Sequence, residues 1–149
     1  ALCQELGITM HFGIGVGGKV QSSSWLVDAA IKNVRKTVRP WGEFFDWDGE
    51  ELWHLKTVRI KKNGRLSLQY HNERSEQWIL ISGDATATFI GEKGKKTRQT
   101  LVVGELVNVP IRTIHCLESK KGATIVEIAR GRFDEKDIVR LEDVYGRVK

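Results

Sequence analysis

The stretch LSLQYHNERSEQWILISG, Leu66 to Gly83, decides how this chain is read. Its first six residues alternate, with Leu66, Leu68 and Tyr70 on one side and Ser67, Gln69 and His71 on the other, as successive side chains of a strand must. In an ordinary half-buried strand the second face would be wet. Five residues after His71 stands Glu76, followed by Trp78-Ile79-Leu80-Ile81, a run too apolar for a surface. An amide, an imidazole and a carboxylate are therefore expected to point into one interior.

The same pattern continues outward. From Arg39 onward, short strands are expected at 55–61, 64–71, 76–82, 85–90, 97–103, 106–109, 113–118 and 123–130. Asn63-Gly64, Ser82-Gly83-Asp84, Gly91 to Gly94, Gly104 and Lys120 to Gly122 punctuate them, and Asn63-Gly64 reads as a hairpin turn. Evenly spaced strands without intervening helices make a sandwich or a barrel. An amphipathic piece at 134–143 is expected to be a short C-terminal helix.

Residues 1–36 differ in character and read as an N-terminal arm, with a helix at 24–35 capped by Ser24. Its stripe would be Leu26, Val27, Ala30, Ile31 and Val34. Within the arm, GIGVGGKV (Gly13 to Val20) has phosphate-loop spacing, but Val20 stands where a magnesium-binding hydroxyl is needed, so a glycine turn is expected. Residues 37–149 are expected to form a single domain.

Composition is that of a soluble globular protein: 149 residues, 40% hydrophobic and 29% charged, with no run near the roughly 20 apolar residues that span a membrane. Cys3 and Cys116 are too few and too far apart for a disulfide framework, which points to a reducing, cytoplasmic setting. The net charge of +5 comes from scattered basic residues without the interleaved aromatics of an RNA reader. A nucleic-acid partner is not expected, whereas a small phosphorylated substrate suits the charge.

In a small antiparallel barrel, inward polar groups need a reason to be there. Gln69 and His71 project side by side, a turn over Asn72 to Ser75 brings Glu76 back on the neighbouring strand, and His115 lies in a later apolar strand. Two imidazoles, a carboxylate and an amide oxygen suit one divalent metal ion: zinc, manganese, iron, cobalt or nickel. Glu127 shares a strand face with Ile125 and Ala129, where burial should raise its pKa, and it is the expected general base.

GRLSLQYHNERSEQWILISG (Gly64 to Gly83) resembles the first motif of the cupin superfamily, with six residues between Glu76 and Gly83. GELVNVPIRTIHCLES (Gly104 to Ser119) resembles the second, with five residues between Gly104 and Pro110, and then His115. More narrowly, RPWGEF (39–44), LSLQYHNERSEQW (66–78), VPIRTIH (109–115) and DIVRLEDVYGR (137–147) resemble the cupin domain of type II mannose-6-phosphate isomerases, often fused to mannose-1-phosphate guanylyltransferases.

The resemblance implies an all-β fold, a cupin-type antiparallel double-stranded β-helix or jelly-roll barrel. It places the metal ligands on Gln69, His71, Glu76 and His115. It also implies a metal-dependent interconversion of mannose 6-phosphate and fructose 6-phosphate through an enediol. Arg140 would hold the phosphate or the developing charge and Lys56 would be a further cation, while Ser67 and Arg112 are expected substrate contacts. A homodimer is implied as well, since exposed sheet edges need cover.

The chain departs from the pattern at four positions: Arg112 replaces a usual glycine, Ser119 an asparagine, Val58 a lysine and Ala129 a glutamine. About 36 residues precede the domain, so guanylyl transfer is not expected of these residues. The alternatives are a non-catalytic module that binds a sugar or nucleotide-sugar, and an iron-dependent oxygenase built on His71, Glu76 and His115.

Overall fold

The computed structural model describes residues 34–148. The glycine stretch at 13–20, Cys3 and the expected helix at 24–35 lie outside the described residues, except for Val34 and Arg35, and Arg35 already opens a strand. In chain order the strands are β1 (Arg35–Arg39), β2 (Gly42–Glu50), β3 (Trp53–Ile60), β4 (Leu68–Tyr70), β5 (Arg74–Gly83), β6 (Thr86–Ile90), β7 (Lys96–Thr100), β8 (Leu106–Val109), β9 (Ile114–Glu118), β10 (Ala123–Gly131) and β11 (Val139–Glu142). They form a sheet ordered β1-β2-β3-β10-β5-β8 and a sheet ordered β11-β4-β9-β6-β7. Every ladder between named strands is antiparallel. Among the described residues no helix is long and apolar enough to cross a membrane.

All eight expected strands are present, and β1, β2 and β11 add to them. The C-terminal helix expected at 134–143 is not formed. Its second half is β11, paired to β4 through Val139↔Tyr70 and Arg140↔Gln69. β4 would otherwise present an unpaired edge, and that pairing overrides local helical periodicity.

Asn63-Gly64 is a tight turn, with Asn63 at φ +57° and the Gly64 N–H bonded to the Lys61 carbonyl at 2.8 Å. It is not a hairpin. Both edges of β3 are filled, by β2 and β10, so the chain leaves the turn for the other sheet, where the Leu66 N–H meets the Leu117 carbonyl at 2.8 Å.

Register stacks the interior in layers. Val58, Ile125 and Leu80 lie abreast on β3, β10 and β5, all nearly inaccessible, and they anchor a core with Trp41, Phe44 and Leu117. One step further along the inner faces come Lys56, Glu127 and Trp78, then His54, Ala129 and Glu76. Apolar packing thus fills one end of the barrel and ionisable groups fill the other.

The two ends of the β5–β10 ladder need close backbone approach. At Gly83 (φ +87°) a Cβ would lie 2.0 Å from the Gly122 carbonyl oxygen, across the pair Ala123↔Gly83. Gly83→Ala is expected to cost about 2 kcal/mol or more through combined strain and clash. Urea unfolding of the two proteins measures it, and an unchanged midpoint would contradict this reading of the ladder.

Candidate metal centre

His71 follows β4, Glu76 lies on the inner face of β5, and His115 on β9. His71 and Glu76 do not sit on neighbouring strands of one sheet, as the turn at 72–75 had suggested. The edges of β4 are taken by β9 and β11, so the chain crosses the barrel and the two side chains meet from facing sheets. All three are buried, with 2 to 3% exposure.

Their hydrogen bonds determine which atoms remain available. A backbone carbonyl can only accept, so His71 Nδ1 donates to the Asp137 carbonyl at 2.5 Å and His115 Nδ1 donates to the Thr113 carbonyl at 2.8 Å. Each ring therefore turns Nε2 inward. His71 Nε2 lies 2.9 Å from Glu76 Oε1, and His115 Nε2 lies 3.7 Å from Oε2 without a hydrogen-bond partner. One donor atom from each of the three residues falls within 4.8 Å of the others. Lone pairs converging on a carboxylate need a proton or a cation between them, and backbone-fixed tautomers are the usual support for metal-binding histidines. The donor set fits a divalent ion.

Gln69 lies opposite His115 in the β4–β9 pair and lines the adjoining cavity. Its Oε1 accepts the Ser67 hydroxyl at 2.6 Å, which orients the amide; Ser67 is buried and lines the cavity too. Glu76, Glu127, Lys56, Arg74 and Arg140 are among the walls of the cleft.

Lys56 is buried but not free. It pairs with Glu135, lies 3.8 Å from Asp46, and rests over the rings of Phe44 and Phe133. Arg112, an expected substrate contact, is exposed and is not among the residues that line this cleft. It occupies the turn closed by the Thr113 N–H and Pro110 carbonyl at φ +61°, the conformation for which cupins usually supply glycine. There it donates its backbone N–H to the His71 carbonyl at 2.8 Å.

Arg74 belongs to the site and was not anticipated. It is 2% exposed, donates to the Asp134 carbonyl at 2.8 Å, reaches Glu76 Oε1 at 3.5 Å, and stacks on Phe133. The available signal was parity: Arg74 precedes Glu76 by two residues and so shares its inward face.

Burial would raise the Glu76 carboxyl, but the His71 hydrogen bond and the charges of His115, His71 and Arg74 outweigh it and hold the group well below the usual carboxylate range. Burial lowers His115, against the pull of Glu76. Glu127 goes the other way. Burial, reinforced by the negative charge of Glu76, pushes it up to about 7.

A family model described as Mannose-6-phosphate isomerase C-terminal matches residues 27–143. Mannose-1-phosphate guanylyltransferase ManC of Salmonella typhimurium is 35% identical over 117 residues, 76% of this chain and 23% of its own. Alginate biosynthesis protein AlgA of Pseudomonas aeruginosa is 37% identical over 119 residues, 78% of this chain and 24% of its own. The chain spans about a quarter of the length of these curated relatives. Among solved structures, capsular polysaccharide assembling protein CapF from Staphylococcus aureus has a TM-score of 0.65 at 18% identity, over 74% of this chain and 33% of its own. Oxalate decarboxylase from Bacillus subtilis has a TM-score of 0.66 at 19% identity, over 75% and 31%. These likenesses show a shared cupin-type fold.

A raised Glu127 carries a pH signature. Its folded-state pKa, about 7, exceeds the ordinary 4.5, so the folded protein binds the proton more tightly than the unfolded one. The resulting stability is present below pH 4.5 and is lost as pH rises toward 7. The stability of the native chain relative to Glu127→Gln should therefore fall across that window and level off above it. Chemical denaturation of both proteins from pH 4 to 8 measures this, and parallel curves would show that Glu127 titrates normally.

Proposed function

We propose, because the chain belongs to the mannose-6-phosphate isomerase C-terminal family, that it is a metal-dependent phosphosugar isomerase domain. The ligands would be Gln69, His71, Glu76 and His115, and the reaction the interconversion of mannose 6-phosphate and fructose 6-phosphate through an enediol. One observation carries the reading. The inward ring nitrogens of His71 and His115 meet at Glu76 in the wall of a cleft that also holds Glu127 and Arg140.

A divalent cation bound there would polarise the sugar oxygens and offset the negative charge that develops on them. The chain's own groups supply the rest. Glu127, with its pKa near neutrality, suits the removal of a proton from carbon and its return to the neighbouring carbon. Buried Arg74 adds fixed positive charge beside Glu76. Arg140, on β11, suits a phosphate, for which arginine's paired donors are well shaped. Ser67 and Gln69 face the same space.

A second reading, a cupin that binds a sugar or nucleotide-sugar without turning it over, is favoured by the chemistry of β3 and β10. Val58 lines the cleft as an apolar group where the isomerase pattern has lysine, Ala129 stands where it has glutamine, and Lys56 is held by Glu135 and Asp46.

Protein dialysed against a chelator should lose mannose-6-phosphate isomerisation and recover it with a single divalent ion. His71→Ala should bind that ion about 10-fold to 100-fold more weakly and lose turnover. Full turnover after metal removal would reject the metal-dependent mechanism. Saturable sugar-phosphate binding without turnover in the metal-loaded protein would select the binding module.

A further inference from the structure

The Trp78 side chain is 1% exposed and stacks on Phe89 with ring centroids 6.2 Å apart. Packing explains the ring but not its nitrogen, because a buried indole N–H must find an acceptor. A backbone carbonyl would serve for packing alone. The acceptor here is instead a carboxylate of the metal centre, Glu76 Oε2 at 3.2 Å.

Strand parity makes this possible. Arg74, Glu76 and Trp78 occupy alternate positions of β5 and share its inner face. The central carboxylate receives one N–H from each side, Arg74 Nε on Oε1 at 3.5 Å and Trp78 Nε1 on Oε2 at 3.2 Å. His71 Nε2 lies 2.9 Å from Oε1 and His115 Nε2 lies 3.7 Å from Oε2. The same oxygen thus faces both Trp78 and His115. The two rings also touch, with centroids 5.3 Å apart and planes at 73°. Since the Thr113 carbonyl fixes Nδ1 of His115, a hydrogen bond and a ring contact together set that imidazole's orientation.

Among the described residues, Oε2 has no other hydrogen-bond donor. His71 and Arg74 both address Oε1, so without the indole N–H the carboxylate is free to turn toward them and away from His115. Trp78 is not among the residues that line the cleft, so its influence on anything bound there passes through Glu76 and His115.

We propose that Trp78 is a positioning residue of the metal centre, its N–H and ring holding Glu76 and His115 in the arrangement that receives the cation. This role rests on the metal-binding part of the reading above and not on the isomerase part.

The test is calorimetric titration of the full chain and two variants with cobalt(II), together with the visible absorption of each loaded protein. Trp78→Phe keeps a ring in the core and lacks the N–H. It should bind cobalt(II) about tenfold or more weakly, and its absorption bands should shift. Val107→Ala removes buried packing directly opposite Trp78 on β8 and no polar contact. It should unfold at lower urea concentration yet keep native cobalt(II) affinity and native bands. If Trp78→Phe does not fold, replacing tryptophan by its benzothienyl isostere, which keeps the shape without the N–H, gives the same comparison. Equal loss of affinity in both variants makes Trp78 a packing residue only, and native affinity with native bands in Trp78→Phe overturns the role. A native chain that binds no cobalt(II) rejects the metal centre and this role with it. The expected pattern in a protein that does not isomerise mannose 6-phosphate leaves the role standing and rejects the isomerase reading.

Discussion

The Glu76 carboxylate, 3% exposed inside a β-barrel, is the group around which the functional end of this protein is arranged. An ionised acid in that position is tolerable only if its oxygens are met, and they are: His71, Arg74 and the Trp78 indole N–H at 3.2 Å all address it, with His115 just beyond. Leaving such a charge unpaired costs on the order of 3–5 kcal/mol, a large fraction of the stability of a domain. The neighbours of Glu76 are thus constrained by folding before any question of activity arises.

That constraint spreads through the backbone. His71 is turned by the Asp137 carbonyl and His115 by the Thr113 carbonyl. Asp137 in turn receives the backbone N–H groups of Asn72 and Glu73 at 3.0 Å each, and Asp134 holds Arg74. The segment after β10 therefore straps the β4–β5 connection in place from outside. Phe133 gives it an anchor, stacked on His54 and facing the cations of Lys56 and Arg74. The strap thus fixes His71, Arg74 and the β4–β5 connection from one segment, and it leads directly into β11 and Arg140 at the same cleft.

Stability and chemistry occupy successive layers of one register. Ile125 and Glu127 are two apart on β10, and so face the same interior. Ile125 meets Val58 and Leu80 in a dry layer, whereas Glu127 lies one layer on, between Lys56 and Trp78. Burial that strengthens hydrophobic packing in the first layer raises a carboxyl pKa in the next. The tuned acid is a by-product of where the core ends.

Much of this was legible in the residues. Alternation from Leu66 to His71, the glycine punctuation and the positions of Gln69, His71, Glu76 and His115 identified the strands and the inward polar set, because strand parity is a local, period-two property. Three readings failed for non-local reasons. β11 is a strand because β4 needed an edge partner, Asn63-Gly64 changes sheets because both edges of β3 were filled, and Glu76 meets His71 from the facing sheet because both edges of β4 were taken. Sequence alone determined which side chains face inward, since that follows from alternation along each strand. Only the tertiary structure decided which of them meet, because strand order, register and the turning of each imidazole by a distant carbonyl arise from pairing across the barrel.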